Sequence, residues 1–420
     1  MISWTFLAVS LIGAWFTYNA HAPQRRQNPF IVGSFFGGWL TSELAAHHVA
    51  WQALATVIFV AKGALAAWPG WLGLAITLAS WVGLFALIAV AHRARDVMEA
   101  ALVEGLGTGY RERIAPGIAE RLNTPQPRGR LLVPFMLYDP AVRVLRNIEY
   151  VEGGGRRNQL DIYLPKEGAE RAPVLLQIHG GAWIISDKSH QAKPLMLHLA
   201  ARGWICVANN YRLSPAARFP DHLIDVKRAL CWVKRHIADY GGDPNFIVAT
   251  GGSAGGHLSS LLALTANDPE YQAGFEEIDT TVQGCVPFYG VYDFTNLYGH
   301  HPDDGMEKFL ERMVMPRSRV ESPEEWERAS PIYRVSDAAP PFCVIHGAND
   351  SLASVADARK LAELLREKSR APVVYAELPT AQHAFEVFHS PRTRDVVQGV
   401  ERFLARLYSD YLALSPDRRP

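Results

Sequence analysis

The chain has 420 residues, with 42 Lys+Arg against 42 Asp+Glu, and 49% of it is hydrophobic. That apolar content excludes a disordered acidic tail, and the lack of a basic excess argues against a nucleic-acid partner. Four widely spaced cysteines, Cys206, Cys231, Cys285 and Cys343, fit neither a disulfide framework nor a zinc site and are expected as buried thiols.

The charge is unevenly spread. Up to Ala91 the charged residues are Arg25, Arg26, Glu43 and Lys62, so 39 basic and 41 acidic residues remain for the rest. Ile2 to Ala20, Val49 to Trp68 and Trp71 to Ala91 are apolar runs of about 20 residues, the length that crosses ~30 Å of hydrocarbon. Seven of the eleven tryptophans lie in this segment, several near the run ends, where indole favours the membrane interface. The first run lacks the basic start of a cleaved signal peptide. Phe30 to His48 reads as an interfacial helix, a re-entrant piece or a fourth span. Glu43, His47 and His48 within it are expected at the interface rather than at a polar site. Residues 1–91 are therefore expected as a transmembrane helical segment of about three spans. Arg25 and Arg26 after the first span, and Arg93, Arg95, Arg111 and Arg113 after the last, put the part that follows in the cytoplasm. A fourth span would reverse that.

Residues 92–146 are expected as a helical linker or cap. Asp96 to Arg121 reads as helix broken by Gly105 to Gly109, and Leu131 to Val144 as an amphipathic cover. From Asn147 the texture changes. Asn147 to Glu152 and Gln159 to Leu164 alternate as half-buried strands do, with a hairpin loop at Gly153 to Gly155. Short apolar runs then alternate with helical stretches. The runs are Val174 to Ile178, Trp204 to Ala208, Phe246 to Thr250, Val282 to Phe288, Phe342 to Ile345 and Val373 to Leu378. This order predicts an α/β fold over 147–420, a mostly parallel sheet with helices on both faces and chemistry at the strand carboxyl ends.

Gly251-Gly-Ser-Ala-Gly255 follows the Phe246 run and opens a helix. Its glycines allow the sharp turn that exposes a nucleophilic Ser253 hydroxyl. His179-Gly-Gly-Ala-Trp183 follows the Val174 run. The N–H groups of Gly180 and Gly181, with that of Ala254, are expected to form an oxyanion hole. A serine needs a base and the base an orienting acid, in chain order Ser, acid, His. Asp350, in His346-Gly-Ala-Asn-Asp350, and His383, in Thr380-Ala-Gln-His-Ala-Phe385, end consecutive strands and are the expected partners. Asp293 is the competing acid. His346 and His257 are expected in local hydrogen bonds. His300-His-Pro-Asp-Asp304 is expected as a solvated loop rather than a metal site. The stretch 296–334 is too long for a turn and is expected as a cap. Trp183, Phe288, Tyr289 and Phe294 are candidate pocket walls, with core packing the rival reading of each.

From Asn147 onward these motifs, with Asn210-Tyr-Arg-Leu-Ser-Pro215, resemble an α/β-hydrolase of the hormone-sensitive-lipase-like carboxylesterase group. The membrane-attached N-terminus resembles prenylcysteine methylesterase-like and mycobacterial Lip-type membrane esterases. The resemblance implies hydrolysis of a carboxylic ester through an acyl-serine, with Ser253 as nucleophile, His383 as base and Asp350 as orienting acid; the membrane anchor, separately, suggests a lipid-like ester delivered from the bilayer. The resemblance implies no metal or organic cofactor. Amide or formamide cleavage on the same triad, or a non-catalytic membrane scaffold, are the alternatives. In one respect the chain departs from the group: many members carry Asp where Gly252 stands, so support of the oxyanion loop here differs.

Overall fold

The structure, a computed structural model, describes residues 1–26, 30–122 and 128–414. Parts of the three expected segments, namely 27–29, 123–127 and 415–420, lie outside the described residues. Four helices come first: α1 (Ile2–His21), α2 (Ile31–Glu43), α3 (Ala45–Ala61) and α4 (Trp68–Ala91). Pro69 sits in the first turn of α4, where its missing N–H costs nothing. The run Trp68–Leu106, which takes α4 on into α5 (Ala94–Leu106), is long and apolar enough to cross a membrane. Helices α2 and α3 reach that length only together, and they meet at 96°. The described residues thus hold one such helix, or two counting the bent pair, where the sequence suggested about three. Outward faces of these helices carry exposed Trp4, Trp15, Leu54, Val57, Trp71, Val82 and Phe85.

Then follow α6 (Pro116–Leu122), β1 (Val142–Glu149), β2 (Gln159–Pro165), β3 (Ala172–Ile178), α7 (Lys193–Ala200), β4 (Ile205–Asn209), α8 (Asp221–His236), β5 (Gly242–Gly252) and α9 (Ala254–Leu264). The remainder is β6 (Gly284–Phe288), α10 (Gly305–Met313), α11 (Pro323–Arg328), β7 (Phe342–Gly347), α12 (Val355–Lys368), β8 (Val373–Leu378) and α13 (Pro391–Leu414). The eight strands form one sheet in the order β1-β2-β4-β3-β5-β6-β7-β8. The pairs β1/β2 and β2/β4 are antiparallel and the others parallel. Apolar side chains of β3 to β7 are buried on both faces, as continuous Val/Ile/Leu runs require. From β3 the chain goes to β4 on one side and to β5 on the other. The crevice outside that reversal is where α/β sheets bind ligands.

Helix α5 packs on β8 and α13, with Met98, Leu102 and Leu106 buried in the core that covers one face of the sheet. A Cβ on Gly105 would lie 2.5 Å from Val373 O, so the small residue sets that close approach. The span-length helix therefore runs directly into the core that covers the sheet. All four cysteines are buried free thiols.

Candidate active site

Ser253 sits between β5 and α9 with φ +58° and ψ −123°, a left-handed conformation costly for a residue with a Cβ. Its N–H donates to Phe288 O at 3.0 Å and its carbonyl accepts from His257 N at 2.9 Å, which over-determines the turn. The N–H of Ala254, first residue of α9, has no intrahelical acceptor and opens at the positive end of the helix dipole.

The loop after β3 lies against this turn. A Cβ on Gly180 would stand 2.4 Å from Gly252 O and 3.0 Å from Ser253 Cβ, so only glycine lets the two loops touch. Gly181 has φ +109° and Ala182 +50°. One expected donor is not free. The Gly180 N–H donates to Gln191 Oε1 at 2.6 Å, an acceptor that the motif does not reveal. Among the described residues neither the N–H of Gly181, an expected donor, nor that of Ala182, which the motif does not single out, has a backbone acceptor. Two motif residues brace the loop from below. Tyr211 donates its hydroxyl to His179 O at 2.9 Å and stacks on the His179 ring at 4.4 Å. Asn210 accepts from Lys188 N and donates to Asp187 Oδ2 at 3.1 Å.

At the ends of β7 and β8, His383 Nδ1 and Asp350 Oδ2 are 2.7 Å apart, both buried. The other Asp350 oxygen accepts from Leu352 N and Ala353 N, each at 2.8 Å. His346 Nε2 also approaches Asp350 Oδ2, at 3.2 Å. Burial disfavours the Asp350 charge, yet the His383 and His346 imidazoles hold its carboxyl well below the usual carboxylate range. An ionised Asp350 fixes the tautomer with hydrogen on Nδ1, leaving His383 Nε2 as the acceptor. Gln382 Oε1 accepts from His383 N at 2.8 Å and Ser351 N at 2.7 Å, tying the two loops together. The rival acid, Asp293, spends its oxygens on Thr295 N, Thr295 Oγ1 and Leu297 N.

Of the four candidate pocket walls, Trp183 and Phe294 pack around His257 instead. Trp183 Nε1 donates to His257 Nδ1 at 3.3 Å, and the Phe294 ring stacks on His257 at 4.5 Å. Phe288 packs against Phe385. Tyr289 reaches the site, its ring centroid 4.5 Å from that of His383 and its hydroxyl donated to the buried Glu386 carboxylate. His300 and His301 are not in a free solvated loop, because both point at Asp357, at 2.8 and 3.1 Å. Among the described residues no three His, Cys, Asp or Glu side chains are placed to hold a metal. The stretch 296–334 forms α10 and α11 and packs through buried Leu310, Val314, Met315 and Trp326. Beside it, a cavity of about 290 Å³ lies between His300, Asp303, Arg25 and the Asp350 loop.

The N-terminal segment takes part as well, which local sequence patterns do not reveal. The Phe35 ring on α2 meets the His383 ring edge-on at 6.4 Å. Trp39 donates Nε1–H to Ala384 O at 2.8 Å. Glu43 pairs with Arg392 and accepts from Ser390 Oγ at 2.8 Å. Asn349, next to Asp350, donates to Ala20 O and His21 O, each at 3.2 Å. Glu43 is thus buried in an ion pair, not placed at an interface.

A BD-FAE family model matches residues 160–365. The probable carboxylic ester hydrolase LipM of Mycobacterium tuberculosis is 45% identical over 96% of this chain and 93% of its own length. The esterase LipQ of the same organism is 40% identical, over 93% and 88%. Among solved structures, esterase B from Lactobacillus rhamnosis aligns with a TM-score of 0.58 at 20% identity, over 77% of this chain and 99% of that one. That last likeness speaks to the fold, an α/β-hydrolase.

Proposed function

The chain belongs to the esterase family of LipM and LipQ, and from that membership we propose a membrane-associated serine esterase acting on carboxylic, lipid-like esters. Ser253 Oγ attacks the ester carbonyl while His383 Nε2 takes its proton. Asp350 holds the imidazole by Nδ1–H and stabilises the imidazolium. The N–H groups of Ala254, Gly181 and Ala182 receive the oxyanion, at about 10²–10³ in rate per donor. The protonated His383 then gives its proton to the leaving alkoxide. Water, deprotonated by the same nitrogen, cleaves the acyl-serine. The observation carrying this reading is the 2.7 Å contact of His383 Nδ1 with Asp350 Oδ2, together with a serine held at positive φ at the end of β5.

We further propose that the first four helices hold the catalytic part at the membrane, on its cytoplasmic face. Arg93 and Arg95, directly after α4, support that side. The test of the chemistry is covalent labelling by a fluorophosphonate. Labelling of the wild type and none of Ser253→Ala is expected; an unlabelled wild type would sink the serine-esterase reading.

A further inference from the structure

Two apolar stretches far apart in sequence meet beside the His383 loop. Just before α2 and within it, Phe30, Val32 and Phe36 point outward with exposures of 78%, 59% and 49%. Ahead of β1, Leu132, Phe135 and Met136 are exposed by 79%, 61% and 54%. Ring contacts join the two stretches: Phe36 to Trp39 at 6.0 Å, Trp39 to Phe388 at 5.4 Å, and Phe388 to Phe135 at 5.0 Å. His389 N–H also donates to Pro134 O at 3.0 Å. The seam follows the residues just after His383, and Phe35 on its inner side faces the His383 ring. Scattered apolar side chains on a surface are ordinary, but a contiguous set marks a contact surface.

The chemistry of the patch selects its occupant. None of its six outward side chains is charged or polar. Helix α2 packs on α1 and α4, whose own outward faces are apolar and of which α4 is long enough to cross a bilayer. Helix α2 therefore stands directly against the helix long enough to cross a bilayer. Arg25 and Arg26, both exposed, stand just before α2, where cations suit anionic headgroups.

We infer that this patch is the surface through which the active site meets the bilayer. Helix α2 lies in the interface, Phe36 and Phe135 enter the acyl region at opposite ends of the seam, and an ester passes from lipid to Ser253 by way of Phe35. The inference rests on the esterase reading above and names the side from which the substrate comes.

The test uses the full chain in nanodiscs of dioleoyl phosphatidylcholine, with Phe36→Glu, Phe135→Glu and the conservative pair Phe36→Leu and Phe135→Leu. Two substrates are compared, 4-methylumbelliferyl oleate dissolved in the bilayer and p-nitrophenyl acetate in water. Each glutamate variant is expected to lose at least tenfold on the oleate and to stay within twofold on the acetate, and the leucine variants to keep both. Parallel loss on both substrates would make the patch merely structural and overturn the inference, as would no loss on either. A wild type inert on both substrates would overturn the esterase reading itself, and the inference with it.

Discussion

Tyr289 donates its hydroxyl to the buried carboxylate of Glu386, and that hydroxyl stands 2.6 Å from where a Cβ on Gly252 would be. The phenol thus fills the space beside the nucleophile that a side chain at 252 would take. Burial, reinforced by Glu386, pushes the phenol well above its usual pKa, and burial raises the Glu386 carboxyl. The raised phenol stays neutral and so remains a donor to Glu386.

Gly252→Ala is therefore expected to cost about 1–3 kcal/mol through overpacking and to lower kcat with it. Tyr289→Phe removes the nearest atom but leaves ring carbons at 2.9 Å, and it strands a buried acceptor. The double variant should lose less than the sum of the singles, with a coupling of about 0.5–3 kcal/mol. Denaturant unfolding of all four proteins measures this; strict additivity would refute the shared space.

Asp350 and Asp293 follow adjacent strands, and the hydrogen bonds separate them. Asp350→Asn leaves the shape but reverses the donor at His383 Nδ1, and kcat on a soluble ester is expected to fall by about 10⁴. Asp293→Asn breaks a loop cap instead. It is expected to cost about 1–3 kcal/mol of stability and to leave kcat within a few-fold. Equal rate losses in the two variants would contradict this division.

The candidate nucleophile, base and acid are legible because each stands at the end of an apolar run, where a doubly wound sheet presents its loops. Spacing could not reveal which N–H groups remain free. Gln191, eleven residues after Gly180, takes that donor by tertiary folding. The first strand was misplaced for a local reason. It runs over Val142–Glu149 rather than from Asn147, because Asn147 has φ +59° and the register slips between Leu145 and Ile148. A bulge breaks the alternation on which the reading depended. The separateness of the N-terminal segment was overstated for a global reason. Charge depletion marks residues 1–91 as different material, but Phe35, Trp39 and Glu43 touch residues more than 340 positions away. No periodicity encodes such contacts.

Three histidines beneath the site make the fold acid-sensitive. Burial lowers His179 and His222 from 6.5 to about 4, and His257 to about 3. His257 shows why it must stay neutral: its Nε2 lies 2.7 Å from Ala329 O as donor, while Nδ1 accepts from Trp183. Below pH 6.5 the unfolded chain binds protons that the folded chain refuses. Stability is therefore full above that pH and falls as pH drops towards 4. Each histidine contributes about 1.4 kcal/mol per pH unit, so the three give roughly 4. Stability measured between pH 7 and 5 should show this slope, and His257→Gln should reduce it by one proton. A flat profile would contradict the neutral assignment.

Glu43 and Arg392 are both buried and paired across the boundary between α2 and α13. Arg392 also donates to Pro379 O at 3.1 Å and Thr380 Oγ1 at 3.0 Å, just before His383. Removing the carboxylate leaves a guanidinium charge in a site closed to water. Glu43→Gln is expected to cost about 3–5 kcal/mol, whereas Glu43→Leu with Arg392→Met should recover most of it, since an apolar pair avoids the desolvation penalty. Because the same arginine steadies the β8 loop, Glu43→Gln should also lower kcat on a soluble ester. Thermal unfolding and turnover of the full chain in detergent check both effects. If Glu43→Gln changed neither, the first helices would be a tether only, with no part in holding His383.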